Sequence, residues 1–476
     1  MAVTPSSTGV HDREPVEKDD RGSTPSASAS RSWLPLPSPF PDPHPRGHLL
    51  PREGVPTGVL KERAEDFLVE ELPLYEPEGE GEHLYLGIQK RMMAHAELLR
   101  LLGRHFGVAE SAIGAAGMKD RLAITRQMVS IHLPGRAKEF TAETGPGAID
   151  LGTERVTVLW AAWHRNKLRR GHLAGNRFVV RIRRIDPLAA PTLWRRLQVL
   201  EQRGAPNHFG PQRFGYRGNT HRLGAILLRQ DWEGVLAELL GAKGSWFPEH
   251  QRRYREAFDA GDYELAAQGW GPNDAAERVA LRKLMKSGNP RRAVLSVGDH
   301  ARSFWVSAIQ SAAYNRLLDD RLASGTFETL REGDVAFRHA GGSSFIVSRG
   351  DLDRGDLEPR LAKGEISPAG PLWGAKLLEA SGETAAEELE ALKAFGVEPA
   401  MLASGPDGAD GARRPYRLFP ANCELDAGTD EHGGYVRLAF DLSKGAFATT
   451  LLRELIDEQS AEPRPSGNTA ADEASD

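Results

Sequence analysis

Residues 176–185 alternate between apolar and basic side chains, and this pattern constrains the fold more than any other part of the sequence. One side of an extended chain would carry the apolar residues Phe178, Val180 and Ile182. The other side would carry a row of guanidiniums from Arg177, Arg181 and Arg183. Because the side chains of a β-strand point alternately to its two sides, the pattern predicts a half-buried strand. The chain must therefore build a sheet with one face covered by apolar elements.

Other periodic segments place strands on both sides of a helical region. Alternation and β-rich composition predict strands at 65–71, 83–90, 123–132, 156–163 and 434–441. Apolar residues at helical spacing predict helices at 94–106, 187–202 and 446–456. Helices with acidic faces are predicted at 223–240, 274–287, 307–323 and 383–395. This order favours the α+β class, with a mixed, largely antiparallel sheet flanked by helices.

These segments predict two domains with unstructured ends. Residues 55–224 and 411–457 would form the first domain, and residues 225–410 would form a helix-rich α+β insertion within it. Residues 1–50 contain nine prolines and eight serines, which leaves too few apolar side chains for a core, so we expect a disordered leader. The last twenty residues carry six acids and one arginine, and we expect a disordered acidic tail over 458–476.

The composition excludes several classes of protein. With 476 residues, of which 40 % are hydrophobic and 27 % charged, the chain is neither a collagen, a coiled-coil rod nor a fully disordered chain. The longest apolar run, Val158–Trp163, is far too short to span a bilayer, and the first thirty residues lack an apolar segment typical of a secretory signal. A single cysteine, Cys423, cannot form an internal disulfide. We therefore expect a cytoplasmic protein without membrane partners, and a monomer as the default state.

Positive charge is concentrated in one stretch of the chain. Residues 155–230 contain sixteen lysines or arginines and two acids, a net charge of +14, whereas the whole chain has a net charge of −5. Such a stretch indicates a local site for a polyanion, and an arginine-rich solvated face is the alternative. The candidate phosphate contacts lie in a basic loop at 164–170 and on the strand at 176–185: Arg165, Lys167, Arg169, Arg170, Arg177, Arg181 and Arg183.

Common catalytic motifs are missing from the sequence. It has no Walker A loop and no HExxH, GxSxG or paired CxxC motif. Its fifteen histidines are scattered without the spacing of metal ligands. Residues 430–434, Asp-Glu-His-Gly-Gly, are interpreted as a hairpin connection rather than a metal turn. We therefore predict neither a metal site nor a phosphate-binding loop.

One carboxylate in a short polar segment is the best candidate for chemistry. Residues 117–121 are Gly-Met-Lys-Asp-Arg and precede a predicted strand, so Asp120 lies between two cations on a turn. Nearby positive charge keeps a carboxylate ionised and able to act as a nucleophile or a base. When the segment is considered alone, a turn aspartate without a catalytic role is the simpler interpretation.

Two glycine-containing segments have residues suited to binding a nucleobase. Residues 206–215 contain Asn207, whose amide offers a donor and an acceptor to a base edge, and Phe209, whose ring offers a stacking plane. Residues 445–454 place Phe447 after a glycine turn at the start of a helix. Core positions for the two phenylalanines are the alternative.

Taken together, these separated segments resemble the TruD family of tRNA pseudouridine synthases, in the family's own order. The matching segments are 61–71, which contains K-x-x-x-E-D-F, G-x-K-D with A-x-T-x-Q at 117–127, a basic block at 166–178, N-x-F-G-x-Q-R-F-G at 207–215 and an insertion motif at 302–315. At position 208 this chain has histidine where the family usually has tyrosine. The resemblance covers residues 57–457.

The resemblance implies a fold, a reaction and a set of site residues. It implies a pseudouridine-synthase catalytic domain with a TRUD-type insertion, and Asp120 as the catalytic aspartate. The target nucleotide would lie in a pocket lined by Phe67, Asn207, Phe209 and Phe447, with the basic residue Lys61 near it. The implied substrate is uridine at position thirteen of tRNA, in the D-arm, bound through its backbone by the basic residues above. Its C–N glycosidic bond would break and a C–C bond would form without any cofactor or metal. Attack of Asp120 on C1′ and removal of a proton at C2′ both stay open.

Two other functions are compatible with the residues. An RNA-binding or RNA-folding protein on the same scaffold, with little or no catalysis, would be indicated by an eroded catalytic turn, and the turn is intact here. A nucleoside-processing hydrolase that uses Asp120 would release free base, and a small substrate fits the basic stretch less well. Conversion of an unmodified tRNA transcript distinguishes the three functions.

Overall fold

The computed structural model describes residues 34–117, 119, 123–136, 139, 149–272, 274–403 and 407–459. Its strands are β1 (Thr57–Gly58), β2 (Phe67–Pro73), β3 (His83–Arg91), β4 (Ile113–Ala115), β5 (Ile124–His132), β6 (Val156–His164), β7 (Leu173–Arg183), β8 (Ala205–Pro206), β9 (Val335–Arg338), β10 (Ser344–Ile346), β11 (Ile366–Leu372), β12 (Ala412–Pro415), β13 (Arg417–Leu418), β14 (Ala421–Asp430), β15 (Gly433–Ser443) and β16 (Asp457–Glu458). Its α-helices are α1 (His95–Phe106), α2 (Ala190–Arg203), α3 (Thr220–Leu228), α4 (Trp232–Leu240), α5 (Arg252–Asp259), α6 (Tyr263–Ala266), α7 (Ala275–Ser287), α8 (Pro290–Leu295), α9 (Asp299–Ala323), α10 (Arg349–Asp353), α11 (Leu357–Ala362), α12 (Gly382–Lys393), α13 (Pro399–Ala403) and α14 (Ala448–Leu455).

An eight-stranded sheet forms the centre of the fold. Its order is β14–β15–β7–β2–β5–β3–β6, and β4 pairs with the second half of β5. β2 and β5 run parallel, and the other neighbouring pairs of this sheet are antiparallel. The predicted α+β class and the mixed, largely antiparallel sheet are thereby confirmed. The six predicted strands are present, with ends that differ from the prediction by at most three residues.

Helices cover one face of this sheet and form the core with it. Leu98 of α1 belongs to a buried cluster with Val129 of β5. Leu197 of α2 and Leu451 of α14 belong to a second buried cluster, with Val180 of β7. The strand register places Val129 and Val180 on the same face, so both clusters lie under helices on that side. Full burial of each such side chain contributes about 1.5–3 kcal/mol.

The region between β8 and β13 is mainly helical and contains a second sheet, in the order β10–β9–β11–β12. The single helix predicted at 223–240 is wrong, because the chain forms α3 and α4 with a break between them. At the break, Gln230 has a left-handed φ of 59°, and the Asp231 side chain accepts a hydrogen bond from Gly234 N at 2.8 Å. This bond caps the new helix start, so α4 begins as a separate helix.

The remaining predicted helices are present with shifted ends. α7 and α12 correspond to the predictions at 274–287 and 383–395, and α9 begins at Asp299 rather than at 307. Residues from Leu34 onward form one compact unit, and the division at 225–410 stays a prediction. No helix within the described ranges is long and apolar enough to cross a membrane.

Residues 34–50 differ from the disordered leader that we predicted. Their backbone is bound by side chains of the body of the protein: Arg229 to Leu34 O, His221 to Pro41 O, Asn315 to Pro43 O, Asp319 to Gly47 N, and Glu454 to Leu50 N. A proline-rich segment makes few hydrogen bonds with itself, so polar side chains from elsewhere satisfy its backbone groups. Composition does not reveal such partners. The rest of the leader, 1–33, and the tail, 460–476, lie outside the described residues.

Candidate active site

The start of β2 brings Lys61 and Phe67 together. The Lys61 Nζ atom lies 4.3 Å from the centroid of the Phe67 ring, a cation–π distance. The backbone of Lys61 is left-handed, with a φ of 54°, which turns the chain before the strand begins. Phe67 is 3 % exposed and packs edge-on against Phe178 of β7. Two of the predicted site residues are therefore in contact at the edge of the core.

The predicted catalytic residue itself, Asp120, lies outside the described residues. Its neighbour Lys119 is described, and its Nζ atom lies 3.0 Å from Glu71 Oε1 of β2 and donates to Asn176 Oδ1 of β7. The carbonyl oxygen of Lys119 accepts a hydrogen bond from Lys90 Nζ of β3 at 3.5 Å. We call Glu71, Lys90, Lys119 and Asn176 the turn cluster. It ties the residue before Asp120 to three strands.

Glu71 links the turn cluster to the sheet. β2 and β5 pair over three residues only, and beyond them Met128 N of β5 donates to Glu71 Oε2 at 3.1 Å. The carboxylate therefore takes the place of a backbone acceptor where the two strands separate. Burial raises the pKa of Glu71, and the charge and hydrogen bond of Lys119 oppose this rise. The pair needs both partners, because removing one leaves a buried charge uncompensated.

Asn207 lies at the end of β8, and protein groups already bind both ends of its amide. Its Nδ2 donates to Pro415 O at 2.9 Å, and its Oδ1 accepts from Arg414 Nη2 at 2.5 Å. Arg414 Nε also donates to the Asn207 carbonyl at 3.2 Å. Asn207 can therefore read a base edge only by exchanging these bonds for bonds to the base.

Phe209 is surrounded by aromatic and basic side chains. Its centroid lies 5.5 Å from that of Tyr314 and 6.0 Å from that of Phe447, and its guanidinium neighbours are Arg414 at 4.2 Å and Arg213 at 5.3 Å. Asn207, Phe209, Tyr314, Arg414 and Phe447 form what we call the aromatic cluster. Phe209 is only 5 % exposed, whereas Phe447 is half-buried. Of these two rings, Phe447 is thus the more accessible stacking surface.

The turn cluster and the aromatic cluster lie at the same end of β7 and β15. Asn176, which binds Lys119, is opposite Leu442 in the β7–β15 ladder. Three residues beyond Leu442, the carbonyl of Gly445 accepts a hydrogen bond from Arg414 Nη1 at 3.0 Å. The structure therefore brings the predicted residues Asn207, Phe209 and Phe447 to the sheet end where Lys119 is anchored.

The basic loop between β6 and β7 remains at the surface. Arg165, Arg169 and Arg170 are exposed and Lys167 is half-buried. Arg165 forms surface ion pairs with Glu78 and Glu80, and Lys167 Nζ donates to Ser111 O. Surface ion pairs of this kind are weak and open to competition by a phosphate.

The arginine row on β7 corrects the sequence prediction. The alternation is as predicted, but carboxylates neutralise the row, and most of them come from β14 and β15. Arg177 pairs with Asp441 and Glu424, Arg181 with Asp430, and Arg183 with Asp430 and with Asp66, the residue before β2. Arg183 is 2 % exposed, so the predicted phosphate contact at this position is wrong. Its Nε donates to Asp66 Oδ1 at 2.9 Å inside the core, where it acts as a structural partner.

Sequence reasoning missed several residues of the two clusters. Glu71 and Arg213 lie within the segments that carry the family resemblance, but neither had been given a role. Arg414 lies in no such segment, and its position was set only by the pairing of β12 with β11. In the ranges that the structure describes, no group of three or more histidines, cysteines or acids is placed to hold a metal ion.

Comparison with known proteins places this chain in a family. A model of the tRNA pseudouridine synthase D (TruD) family matches residues 50–455. The chain belongs to this family.

Individual relatives match over most of their length. A tRNA pseudouridine synthase D of Geotalea daltonii is 39 % identical over 401 residues, which are 84 % of this chain and 96 % of the relative. One of Anaeromyxobacter sp. is 34 % identical over 399 residues, which are 84 % of this chain and 92 % of the relative. A crystal structure from Methanosarcina mazei, described as a tRNA pseudouridine synthase D, has a TM-score of 0.70 and 25 % identity and covers 88 % of this chain and 98 % of that one. The predicted family and the predicted enzyme class are confirmed.

Proposed function

We propose that this chain converts uridine 13 in the D-arm of tRNA to pseudouridine, with Asp120 as its single catalytic carboxylate. Membership of the TruD family supports the general reaction, isomerisation of uridine in tRNA. One observation supports this role for Asp120. Lys119, the residue before it, is anchored to β2, β3 and β7. A side chain that must meet a reacting atom needs such a fixed backbone.

The proposed reaction is balanced without any co-reactant. The C1′–N1 glycosidic bond breaks, the uracil turns within the site, and a C1′–C5 bond forms while C5 loses a proton and N1 gains one. Asp120 acts either by attacking C1′ or by removing a proton at C2′ that is later returned. Both routes require an ionised carboxylate, and the cations on either side of Asp120 in the sequence, Lys119 and Arg121, favour that form.

The aromatic residues supply binding energy for the everted nucleotide. Taking a uridine out of folded RNA costs a few kcal/mol. Stacking on an accessible ring such as that of the half-buried Phe447 returns about 1–3 kcal/mol. Phe67 and Phe209 are buried and provide an apolar wall, and Lys61 lies over Phe67. A wall of this kind keeps the detached uracil from exchanging with water.

The loop residues Arg165, Lys167, Arg169 and Arg170 are proposed to contact the RNA backbone. They are the accessible members of the basic stretch, whereas the β7 arginines already have carboxylate partners. A monomeric state and a cytoplasmic location belong to the same proposal.

Replacement of the catalytic carboxylate tests the proposal. With Asp120→Asn in the full chain, single-turnover conversion of an unmodified tRNA transcript, mapped by carbodiimide chemistry, is expected to fall below detection. Binding of the same transcript is expected to stay near that of the wild type, because one neutralised acid removes no contact to the RNA backbone. Asp353→Asn is the matched control, since Asp353 is a surface residue on α10 whose side chain is 63 % exposed.

The outcomes separate the parts of the proposal. Modification of another uridine with position 13 untouched would refute the position and leave the role of Asp120 intact. Equal loss of binding and conversion in Asp120→Asn would make Asp120 structural. A wild-type protein that binds tRNA and modifies no uridine would be an RNA-binding protein without catalysis.

A further inference from the structure

Two arginines flank the ring of Phe209 in the aromatic cluster. The guanidinium carbon of Arg414 lies 4.2 Å from the ring centroid, and that of Arg213 lies 5.3 Å from it. Arg213 also lies 5.4 Å from the ring of Phe304, which is 37 % exposed. Arg213 and Arg414 are both partly exposed, so a ligand from solution can reach them.

No carboxylate of the described chain balances these two charges. Neither guanidinium has an Asp or Glu oxygen within 4.0 Å among the residues that the structure covers. Burial lowers the pKa of both arginines, and the charge of Arg414 lowers the pKa of Arg213 further. Buried charges in proteins are normally paired with an opposite charge, because desolvation without a partner is costly. Two neighbouring cations without an acid therefore indicate a place for an anion.

Hydrogen-bond donors remain available at this place. A guanidinium has five N–H groups. Arg213 donates one hydrogen bond to the described protein, from Nη1 to Ser307 Oγ at 3.1 Å. Arg414 uses three donors, on Asn207 O, Asn207 Oδ1 and Gly445 O, which fix its orientation. Arg414 is thus a rigid cation, and Arg213 is a cation with most of its donors free for a ligand.

We propose that Arg213 and Arg414 bind one phosphodiester anion of the RNA, at a linkage adjoining the nucleotide that enters the aromatic cluster. The proposal rests on the proposed function, because it takes RNA as the substrate. Guanidinium groups match the paired oxygens of a phosphate, and the bonds are charge-assisted. The Phe209 ring holds both cations by cation–π contacts, so the site is formed before the RNA binds.

Salt dependence of tRNA binding tests whether the pair contacts a phosphate. Arg213→Gln is expected to weaken binding of an unmodified tRNA transcript about tenfold and to reduce the slope of log affinity against log salt by about 0.7–0.9, the value for one phosphate contact. Arg213→Lys keeps the charge and should recover most of the slope. Arg338→Gln is the matched control, because Arg338 lies 4.4 Å from the Phe345 ring on another sheet. Its slope should equal that of the wild type.

Neutral linkages identify the anion as a phosphodiester next to the target. Synthetic substrates would carry one methylphosphonate, either on the 5′ side or on the 3′ side of the modified uridine. One of the two should weaken wild-type binding at least as much as Arg213→Gln does. The same substrate should weaken binding by Arg213→Gln less than it weakens wild-type binding, because the variant has already lost one of the two cations at this linkage and keeps only Arg414.

Three results would overturn the proposal: an unchanged salt slope in Arg213→Gln, no effect of either methylphosphonate on the wild type, or additive losses in the combination. If inorganic phosphate weakens tRNA binding by the wild type while neither neutral linkage has an effect, the site binds free phosphate instead. The Asp120→Asn variant distinguishes failure of this proposal from failure of the proposed function. It should bind tRNA with the full wild-type salt slope, whether or not any uridine is converted. If Arg213→Gln folds poorly, the wild-type protein with the neutral linkages still decides the question.

Discussion

The two arginine groups of this protein have opposite surroundings, although only one of them is conspicuous in the sequence. Arg177, Arg181 and Arg183 on β7 each have a carboxylate within 3.5 Å. Arg213 and Arg414 beside Phe209 have none in the described chain. The acids that neutralise β7 come mainly from β15, its neighbour in the sheet, and from β14, the next strand beyond it, and both strands are distant from β7 in sequence. A pair of arginines thus indicates an anion site when folding keeps carboxylates away from it. A high density of arginines along the chain does not indicate one.

Replacement of Arg183 should show the largest difference between the two groups. Arg183→Met leaves Asp66, which is fully buried, without the guanidinium that donates to it. Breaking a buried ion pair by removing one partner costs about 3–5 kcal/mol, so urea unfolding should shift by that amount. Arg213→Gln should leave the unfolding free energy within about 0.5 kcal/mol of the wild type. A larger loss of tRNA affinity in folded Arg183→Met than in Arg213→Gln would contradict the assignment of Arg183 to structure and Arg213 to RNA binding.

Removal of a neutralising acid should convert part of the β7 row into a phosphate contact. Asp430 pairs with Arg181 at 3.5 Å and with Arg183 at 2.7 Å. In Asp430→Asn the half-buried guanidinium of Arg181 loses its carboxylate, so tRNA binding should tighten and the salt slope should steepen by about 0.7–0.9. The measurement is the same salt titration of transcript binding. An unchanged slope would mean that the geometry of β7, and not its neutralisation, keeps Arg181 from the RNA.

The two arginine groups should also differ, by a smaller amount, in how their variants change stability at acid pH. The hydrogen bond from Arg183 lowers the pKa of the Asp430 carboxyl below its ordinary value of 3.8. A carboxyl whose pKa is lowered by folding stabilises the protein above its unfolded pKa, and this contribution is lost as the pH falls through the folded pKa. The stability difference between the wild type and Asp430→Asn should therefore be constant above about pH 5 and shrink as the pH falls below 3.8 through the folded pKa.

The same titration of Arg213→Gln supplies the contrast. Because no described carboxylate faces Arg213, its stability difference from the wild type should not change over this pH range. Urea midpoints measured at each pH check both expectations. A pH-dependent difference for Arg213→Gln would reveal an acid near the arginine pair and weaken the case for an anion site.

Local pattern was enough to find the elements but not their partners. Alternation located β7 because burial on one face of a strand leaves a period of two in the sequence. It could not show that Arg183 is buried, because its partners are distant in sequence: Asp66 lies in the turn before β2, and Asp430 lies at the end of β14. The break at Gln230 was missed for a related reason, since the cap that Asp231 provides outweighs a continuous apolar period.

The candidate site was predictable where its residues lie in short motifs. Phe209 and Phe447 were placed together by the family resemblance, and the structure brings their rings to 6.0 Å. The sequence could not predict that Arg414 binds Asn207, because this hydrogen bond joins residues that are more than two hundred positions apart. Arg414 has no local signal, and only the pairing of β12 with β11 brings it to the ring.

The docked segment 34–50 changes where this protein can safely be shortened. The family match begins at residue 50, yet Asp319 and Glu454 receive backbone N–H groups from residues 47–50 and are 8 % and 1 % exposed. Trimming the chain to the start of the family match would remove backbone N–H groups that donate to these two carboxylates in the interior. What looks like an appendage in an alignment is therefore an interior surface of this molecule, supplied from its own amino-terminal arm.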